Sequence, residues 1–341
     1  EYLRFAEKYS RSIFRPDAFL NAGEAYMQAG KAIEALGVFE TFLESYPGDK
    51  NACRARLHRG RIFKALHRYG EAANELLVIP ERHIDCPYVD QAMLDAGECL
   101  ISAGDSRQAA GVLRRLITQR KRSDLVPRAR YGLAIALTNI GRDLEAAKVL
   151  GELVSKHRSS PVAALALLKL GDRAIEGGDT DGAEEYFKNV KDRFKEKTLQ
   201  EKASVGIIGI HSKKGDDKAL LEESERFLES FSKSKQRGYV FELSIDAAWR
   251  LKDLDRTLSL INSCISEQAV QDSTGELRLL KSRVLNDKGK TKEALRELED
   301  FRHLFTRSPH IREALLLEAE LLRRSGSPRE AARFYHLTLL E

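Results

Sequence analysis

The chain repeats itself every 37 residues, and this period limits the folds open to it more than any other feature. A small residue is followed seven positions later by Gly and five positions after that by Ala, as in Gly23, Gly30 and Ala35. Gly occupies the turn position in seven of the nine steps, and Ala the later position in seven of nine. One unit copied along a chain predicts a stack in which each unit packs against its neighbours.

The residues of one unit predict two helices joined by a tight turn. A helix of about 14 residues ends near the turn glycine, which adopts the left-handed conformation of a helix stop. A second helix begins just after it, with an acid such as Glu34 or Glu71 near its N-terminus. The prolines avoid the interiors of the first helices, and we expect Pro80 to shorten one second helix. A composition with only 7% aromatic residues agrees with helices throughout.

One copy of the unit matches a known family signature. Gly23, Tyr26, Ala35, Phe39 and Pro47 follow, one for one, the order of small, aromatic, Ala, aromatic and Pro in the tetratricopeptide repeat (TPR). The chain therefore resembles the TPR family, although its period of 37 exceeds the usual 34. The resemblance implies an all-α fold, a right-handed α-solenoid (TPR superhelix) of antiparallel helix pairs. It also implies a non-enzymatic scaffold that binds protein partners.

The 37-residue period divides the central part of the sequence into whole repeats. Residues 16–311 make eight TPR-like repeats, and 312–341 hold most of a ninth. Residues 1–15 align with 38–52, so we expect them to form the second helix of a truncated preceding repeat. The sequence predicts a single continuous solenoid domain. A structural spacer or a self-associating segment of a longer TPR protein is the alternative function.

The end of the first repeat, Phe42-Leu43-Glu44-Ser45-Tyr46-Pro47, looks like the TPRs of bacterial cell-envelope proteins. Among these are lipoproteins of the outer-membrane assembly machinery and periplasmic coordinators of envelope division. The resemblance implies a periplasmic location or the membrane-associated face of an envelope, with the cytoplasm as the alternative. The longest apolar stretches, 163–168 and 314–317, are too short to span a membrane.

The sequence does not meet the patterns typical of enzymes and metal sites. Gly289-Lys290-Thr291 resembles the end of a phosphate-binding loop, but Val284 replaces the required glycine. His83 and Cys86 have loose metal-ligand spacing without a second pair. Four cysteines are too few for a disulfide scaffold; we expect Cys99 and Cys264 to be buried, and Cys53 and Cys86 to be exposed at repeat junctions. The sequence predicts no cofactor, no metal and no small-molecule substrate.

The resemblance places a ligand groove on the first helices. A chaperone-type clamp for a C-terminal carboxylate would need Lys and Asn where this chain has Leu20 and Glu24, so we do not expect one. Between 198 and 275 the marker residues weaken, and this region holds the chain's one Trp. The groove residues predicted there are Tyr239, Glu242, Asp246, Trp249 and Arg250, with Gly206 and Gly209 on the preceding first helix.

The two glycines of that stripe need a reason, because each costs a helix interior about 1 kcal/mol relative to Ala. One hypothesis is that they clear space beside Trp249 and so form a pocket for a partner's side chain. The alternative is a degenerate repeat in which Trp249 fills an imperfect junction.

A denser basic tract offers a second candidate surface, a basic edge on a chain whose net charge is +5. Its members are Arg114, Arg115, Arg120, Lys121, Arg122, Arg128 and Arg130. It is either a solvated edge or a dock for an acidic partner or phosphate groups. The absence of interleaved aromatic residues argues against binding of single-stranded nucleic acid.

Overall fold

The computed structural model describes residues 1–269 and 275–339, and in those ranges it contains nineteen α-helices and no strand. The helices are α1 Tyr2–Lys8, α2 Arg15–Gln28, α3 Ala32–Ser45, α4 Ala52–Ala65, α5 Tyr69–Arg82, α6 Val89–Ser102, α7 Ser106–Gln119, α8 Val126–Asn139, α9 Asp143–Lys156, α10 Pro161–Glu176, α11 Thr180–Arg193, α12 Lys197–Lys214, α13 Asp217–Ser230, α14 Arg237–Arg250, α15 Leu254–Glu267, α16 Glu276–Asp287, α17 Thr291–Leu304, α18 Ile311–Arg324 and α19 Pro328–Leu337. The predicted all-α fold of antiparallel helix pairs is confirmed.

The 37-residue period is visible in the helix boundaries. Each second helix, from α3 to α19, begins 37 residues after the second helix before it. First helices keep the same spacing from α2 to α8, whereas α10 and α12 begin earlier and α16 begins later. Of these three helices, only α12 lies in the region in which the sequence markers weaken, whereas α10 lies before it and α16 after it. The second helices therefore keep the 37-residue spacing more strictly than the first helices do.

A left-handed residue joins the two helices of each pair. Glycines with positive φ stand at the turn of seven pairs, from Gly30 (φ 73°) to Gly326 (φ 88°). In the two pairs that lack the glycine, His67 (φ 59°) and Lys252 (φ 57°) adopt the same conformation. The turn geometry is thus kept at a cost of about 1–2 kcal/mol where a side chain replaces the glycine.

The chain divides into two compact units, residues 1–170 (unit 1) and 171–341 (unit 2). In unit 1 the buried Leu113 of α7 fits against two glycines, and a Cβ added at Gly97 or Gly132 would lie 2.5 Å or 3.2 Å from its methyl carbons. In unit 2, a Cβ at Gly171 or Gly206 would lie 2.7 Å or 2.6 Å from the ring of Phe187. These small residues allow neighbouring helices to approach closely.

Two sequence expectations are wrong. Pro80 lies inside α5, which keeps the 14 residues of its neighbours, because the proline falls in the last turn. Cys53 and Cys86 form a disulfide with Cα atoms 6.3 Å apart, and Cys53 is buried. The pairing was missed because folding of α4 onto α5 joins residues 33 positions apart. Cys99 and Cys264 are buried, as expected, and neither belongs to this disulfide.

None of the helices in the described ranges combines the length and the apolar character needed to cross a membrane.

Candidate functional site

The first helices of unit 1 lie side by side and form a common face, which we call the groove face. Helix α4 contacts α6, and α6 contacts α8. A cavity of about 320 Å³ opens on this face between α2 and α4, and we call it the unit 1 pocket. Its lining residues are Glu24, Met27, Gln28, Arg54, Leu57, His58, Arg61 and Tyr88. The volume is within the range of sites that bind small groups or side chains.

One wall of the unit 1 pocket is a polar cluster around a single carboxylate. Glu24 lies on α2, and its Oε1 is 2.8 Å from the guanidinium of Arg54 and 3.0 Å from Nε2 of His58, both on α4. The imidazole ring of His58 stacks on the buried ring of Phe39, with centroids 5.5 Å apart and planes at 14°. Stacking and the ion pair fix the positions of the pocket's polar groups.

The surroundings of His58 disfavour its charged form. Burial lowers its pKa below the ordinary value; Glu24 acts in the opposite direction, while the charges of Arg54 and Arg61 add to the lowering. Nε2 faces the carboxylate of Glu24, whereas Nδ1 makes no hydrogen bond to any residue that the structure describes. Both ring nitrogens are buried, so His58 contributes to the wall of the pocket mainly through its ring.

Ion pairs continue from repeat to repeat along the groove face. The carboxylate of Glu98 accepts from Lys64 and from Arg128, each at 2.7 Å. Burial opposes the charged form of Lys64, but its hydrogen bond to Glu98 and the acidic charges nearby outweigh burial and raise its pKa. These pairs neutralise one another, so they set the face's geometry more than they add to its charge.

Arg61 is the least engaged cation of this face. Its Nε lies 3.5 Å from Oδ2 of Asp95, a longer separation than in the other pairs of the face. Asp95 also accepts a hydrogen bond of 2.7 Å from Gln91. The side chain of Arg61 is 43% exposed at the rim of the pocket. Arg61 therefore offers an available positive charge beside the pocket.

The groove residues predicted in unit 2 lie on α12 and α14. Trp249 is half-buried and packs against the hydrophobic cluster of this region, Tyr239 is exposed, and Glu242 and Asp246 are exposed on the same helix. The guanidinium of Arg250 hydrogen-bonds Asp217 at 2.6 Å and lowers the pKa of that carboxyl. Trp249 thus contributes to the core as well as to the surface.

The two glycines of α12 have different neighbours. A Cβ at Gly206 would lie 2.6 Å from the ring of Phe187, so this glycine makes room for a core side chain of α11. A Cβ at Gly209 would lie 3.5 Å from the hydroxyl of Tyr239, which is an ordinary contact. Phe187 therefore occupies the space beside Gly206, and the hydroxyl of Tyr239 lies beside Gly209.

The basic edge surrounds a cavity of about 690 Å³ lined by Asp90 and residues 118–123. Most of its cations are engaged within unit 1. The ion pairs are Arg114 with Glu145 (3.6 Å), Arg120 with Asp90 (3.2 Å), Arg128 with Glu98 (2.7 Å) and Arg130 with Glu152 (2.7 Å). Arg115 donates a hydrogen bond of 3.4 Å to the carbonyl oxygen of Pro80.

Lys121 and Arg122 have a different environment in this edge. They are exposed in the loop after α7, and neither forms an ion pair within the described part of the chain. The free charge of the basic edge is thus concentrated on two adjacent side chains.

The sequence predicted a groove site in unit 2 and a basic edge in unit 1, and it did not indicate the unit 1 pocket. The signal was present, because Glu24, Arg54, His58 and Arg61 are charged or polar residues on the groove side of two consecutive first helices. Their pairing across 30 to 34 positions depends on how adjacent helix pairs stack. The groove site was predicted in unit 2 because unit 2 contains the one Trp, and Trp is enriched in binding hot spots.

Comparisons with known proteins agree with the fold. Family models described as tetratricopeptide repeat match residues 17–49, 94–150 and 141–195. The structure of PilW, described as a widely conserved type IV pilus biogenesis factor, is 17% identical with a TM-score of 0.50, over 66% of this chain and 97% of that one. None of the curated proteins matches the chain.

Two further solved structures are similar at lower scores. A tetratricopeptide repeat protein from Parabacteroides merdae ATCC 43184 is 12% identical, with a TM-score of 0.41, over 89% of this chain and 98% of its own. MamA from Desulfovibrio magneticus RS-1 is 18% identical, with a TM-score of 0.43, over 52% and 93%. The family models show tetratricopeptide repeats in residues 17–49 and 94–195, and the helix pairs of the described residues have the arrangement expected of such repeats.

Proposed function

We propose that the chain is a non-enzymatic scaffold that holds an extended segment of a protein partner on the groove face of unit 1. The segment places an acidic side chain beside Arg54 and Arg61 and an apolar side chain over Met27 and Leu57. The observation that carries the proposal is the unit 1 pocket, which combines an apolar floor with polar groups held in place.

Charge complementarity favours an acidic segment. The lining of the unit 1 pocket carries two cations (Arg54 and Arg61) and one anion (Glu24), which leaves one positive charge in excess. Arg61 has the longer ion pair of the two arginines and is exposed at the pocket, so the excess charge is available there. A planar guanidinium recognises a carboxylate through two parallel hydrogen bonds.

Selection from a random peptide library tests the proposal without a known partner. We expect the full chain to enrich peptides in which Asp or Glu is next to an apolar residue. Arg54→Ala and Arg61→Ala should each weaken binding of a selected peptide about tenfold, which corresponds to roughly 1.4 kcal/mol. Arg107→Ala is the matched control, because Arg107 is an exposed arginine of α7 outside the pocket.

Two further variants test the sites predicted from the sequence. If Trp249→Ala abolishes binding while the pocket variants leave it unchanged, the ligand binds unit 2 and the unit 1 assignment is wrong. If Arg120→Glu with Arg122→Glu has that effect, the basic edge is the site. If wild-type protein enriches no peptide, the spacer function replaces the scaffold function. Circular dichroism of each variant ensures that a loss of binding is not a loss of fold.

A further inference from the structure

The disulfide lies directly beside the unit 1 pocket. Cys53 is the second residue of α4 and precedes Arg54, which lines the pocket. Cys86 lies in the loop between α5 and α6, and its Sγ accepts a hydrogen bond of 3.4 Å from the backbone N–H of Tyr88, which also lines the pocket. Each half of the disulfide is therefore within two residues of a pocket residue.

The two sulfurs are placed for a covalent bond with a structural role. The Cα separation of 6.3 Å is within the range that unstrained disulfides span. The bond closes a loop that contains α4 and α5, one complete helix pair. Closing such a loop stabilises a protein by restricting its unfolded chain. It also restrains the loop after α5, whose Ile84 and Asp85 are exposed.

We propose that Cys53 and Cys86 form a structural disulfide in the working protein, that it fixes the loop carrying Tyr88 beside the unit 1 pocket, and that the chain acquires it in an oxidising compartment. Structural disulfides persist where thiols are oxidised and are rare where glutathione keeps them reduced. The reference to the pocket rests on the proposed function, but the disulfide and its effect on the loop do not.

Formation needs an oxidant, and oxidised glutathione or the disulfide of an oxidoreductase supplies it. The thiolate of the more accessible Cys86 attacks the oxidant, forms a mixed disulfide and releases one thiol. The thiolate of the buried Cys53 then attacks the sulfur of Cys86 and releases the second thiol. The two cysteines lose two electrons and two protons, and the oxidant gains them as two thiols.

The two remaining cysteines are protected from this reaction. Cys99 and Cys264 are both fully buried. Burial also raises the pKa of the Cys99 thiol to about 11, so that little of the reactive thiolate is present at neutral pH.

Mass spectrometry of the full chain tests the pairing. Reduced protein is equilibrated with a mixture of reduced and oxidised glutathione, and remaining thiols are alkylated in denaturant. We expect one cross-linked peptide pair that joins Cys53 to Cys86, together with alkylated Cys99 and Cys264. Free thiols at Cys53 and Cys86, or glutathione attached to either without a cross-link, would overturn the proposal.

Thermal unfolding and hydrogen exchange test the effect of the bond. We expect reduction of the wild type to lower the unfolding midpoint by about 5–10 °C. It should also speed exchange in residues 83–90 and leave residues 217–230 of unit 2 unchanged. Cys53→Ala with Cys86→Ala should make both readouts insensitive to reductant, whereas Cys264→Ala should remain as sensitive as the wild type.

No ligand enters these measurements, so their outcome is separate from that of the peptide selection. If reduction changes neither the midpoint nor the exchange of residues 83–90, the bond has no structural role and the proposal is wrong. If reduction changes both but no peptide binds, the disulfide stands and the function of the pocket does not.

Discussion

The contact between Gly97 and Leu113 allows a quantitative test of how the repeats pack. A Cβ added at Gly97 of α6 would lie 2.5 Å from Cδ2 and 2.6 Å from Cγ of Leu113, which is fully buried on α7. Carbon atoms in contact prefer about 3.5–4.0 Å, so the helices would have to separate by about 1 Å. Overpacking of this kind costs about 1–3 kcal/mol. The better helix propensity of Ala offsets about 1 kcal/mol of this.

We therefore expect Gly97→Ala to reduce the free energy of unfolding by about 1 kcal/mol. The matched control is Gly111→Ala on α7, where no atom of the described chain outside its own helical turns lies within 4 Å of an added Cβ. That variant should stabilise the protein by about 0.5–1 kcal/mol, because it gains helix propensity without a clash.

Urea unfolding followed by circular dichroism measures both variants. A difference of about 2 kcal/mol separates their midpoints by roughly 1 M urea. In a Leu113→Ala background the clash partner is removed, so Gly97→Ala should become neutral or stabilising. If Gly97→Ala and Gly111→Ala shift the midpoint equally and in the same direction, close approach of the helices is not the reason for the glycine.

Three further predictions concern local features of unit 1. Burial holds the pKa of His58 below its ordinary value, so the unfolded chain binds a proton to this residue more readily than the folded chain does. The free energy of unfolding is therefore unaffected by His58 above about pH 6.5 and falls as the pH drops below this value. Urea midpoints should thus fall more between pH 7 and pH 5 in the wild type than in His58→Gln. Asp105→Ala should lower the free energy of unfolding by about 1 kcal/mol, measured by urea unfolding, because the carboxylate caps α7 by accepting from the N–H of Gln108 at 3.0 Å. Gly104→Ala should cost about 1–2 kcal/mol in the same assay, because its φ is +86°.

Each of these predictions has a control. A His58→Gln variant as sensitive to acid as the wild type would show that another group titrates. Asp105→Ser should keep most of the capping energy, so an equal loss in Ser and Ala variants contradicts the capping role. Gly104→Asn should cost less than Gly104→Ala, since Asn tolerates the left-handed region better. If the alanine variant is stabilised like Gly111→Ala, strain at the turn is absent.

The repeat register could be predicted from sequence because it depends on local physics. A glycine that ends a helix acts on its own few residues, and the predicted turns at Gly30, Gly104 and Gly141 all have positive φ. The turns at His67 and Lys252 contain no glycine, but the 37-residue period predicts a turn at both positions, and both residues have positive φ. Most of the fold can therefore be predicted from the local conformation of the turn residues and from the 37-residue period.

The candidate site depends on contacts between repeats, which the sequence pattern does not contain. Glu24 meets Arg54 across 30 positions and Arg61 meets Asp95 across 34, and both separations arise from the stacking of helix pairs. Gly206 illustrates the same limit, since its position on the groove stripe did not reveal that it packs against Phe187. Residue types and spacing identify the face, while the partners of each side chain require the structure.

One last prediction follows from competition for Arg61. Asp95 is buried and is held at 2.7 Å by Gln91, while Arg61 lies 3.5 Å away and is exposed. An acidic ligand must therefore draw the exposed Arg61 side chain from Asp95, and an ion pair with an exposed partner is worth up to about 1 kcal/mol. Asp95→Asn removes the competing charge and keeps an amide beside Gln91.

We expect Asp95→Asn to bind a selected acidic peptide about twofold to fivefold more tightly, measured by calorimetry. A peptide whose acidic residue is replaced by its amide serves as the control and should bind the variant and the wild type equally. A gain of affinity separates this mechanism from damage to the fold, because damage would only weaken binding. If the variant is folded and binds more weakly, Asp95 orients Arg61 toward the ligand, and the two carboxylates do not compete.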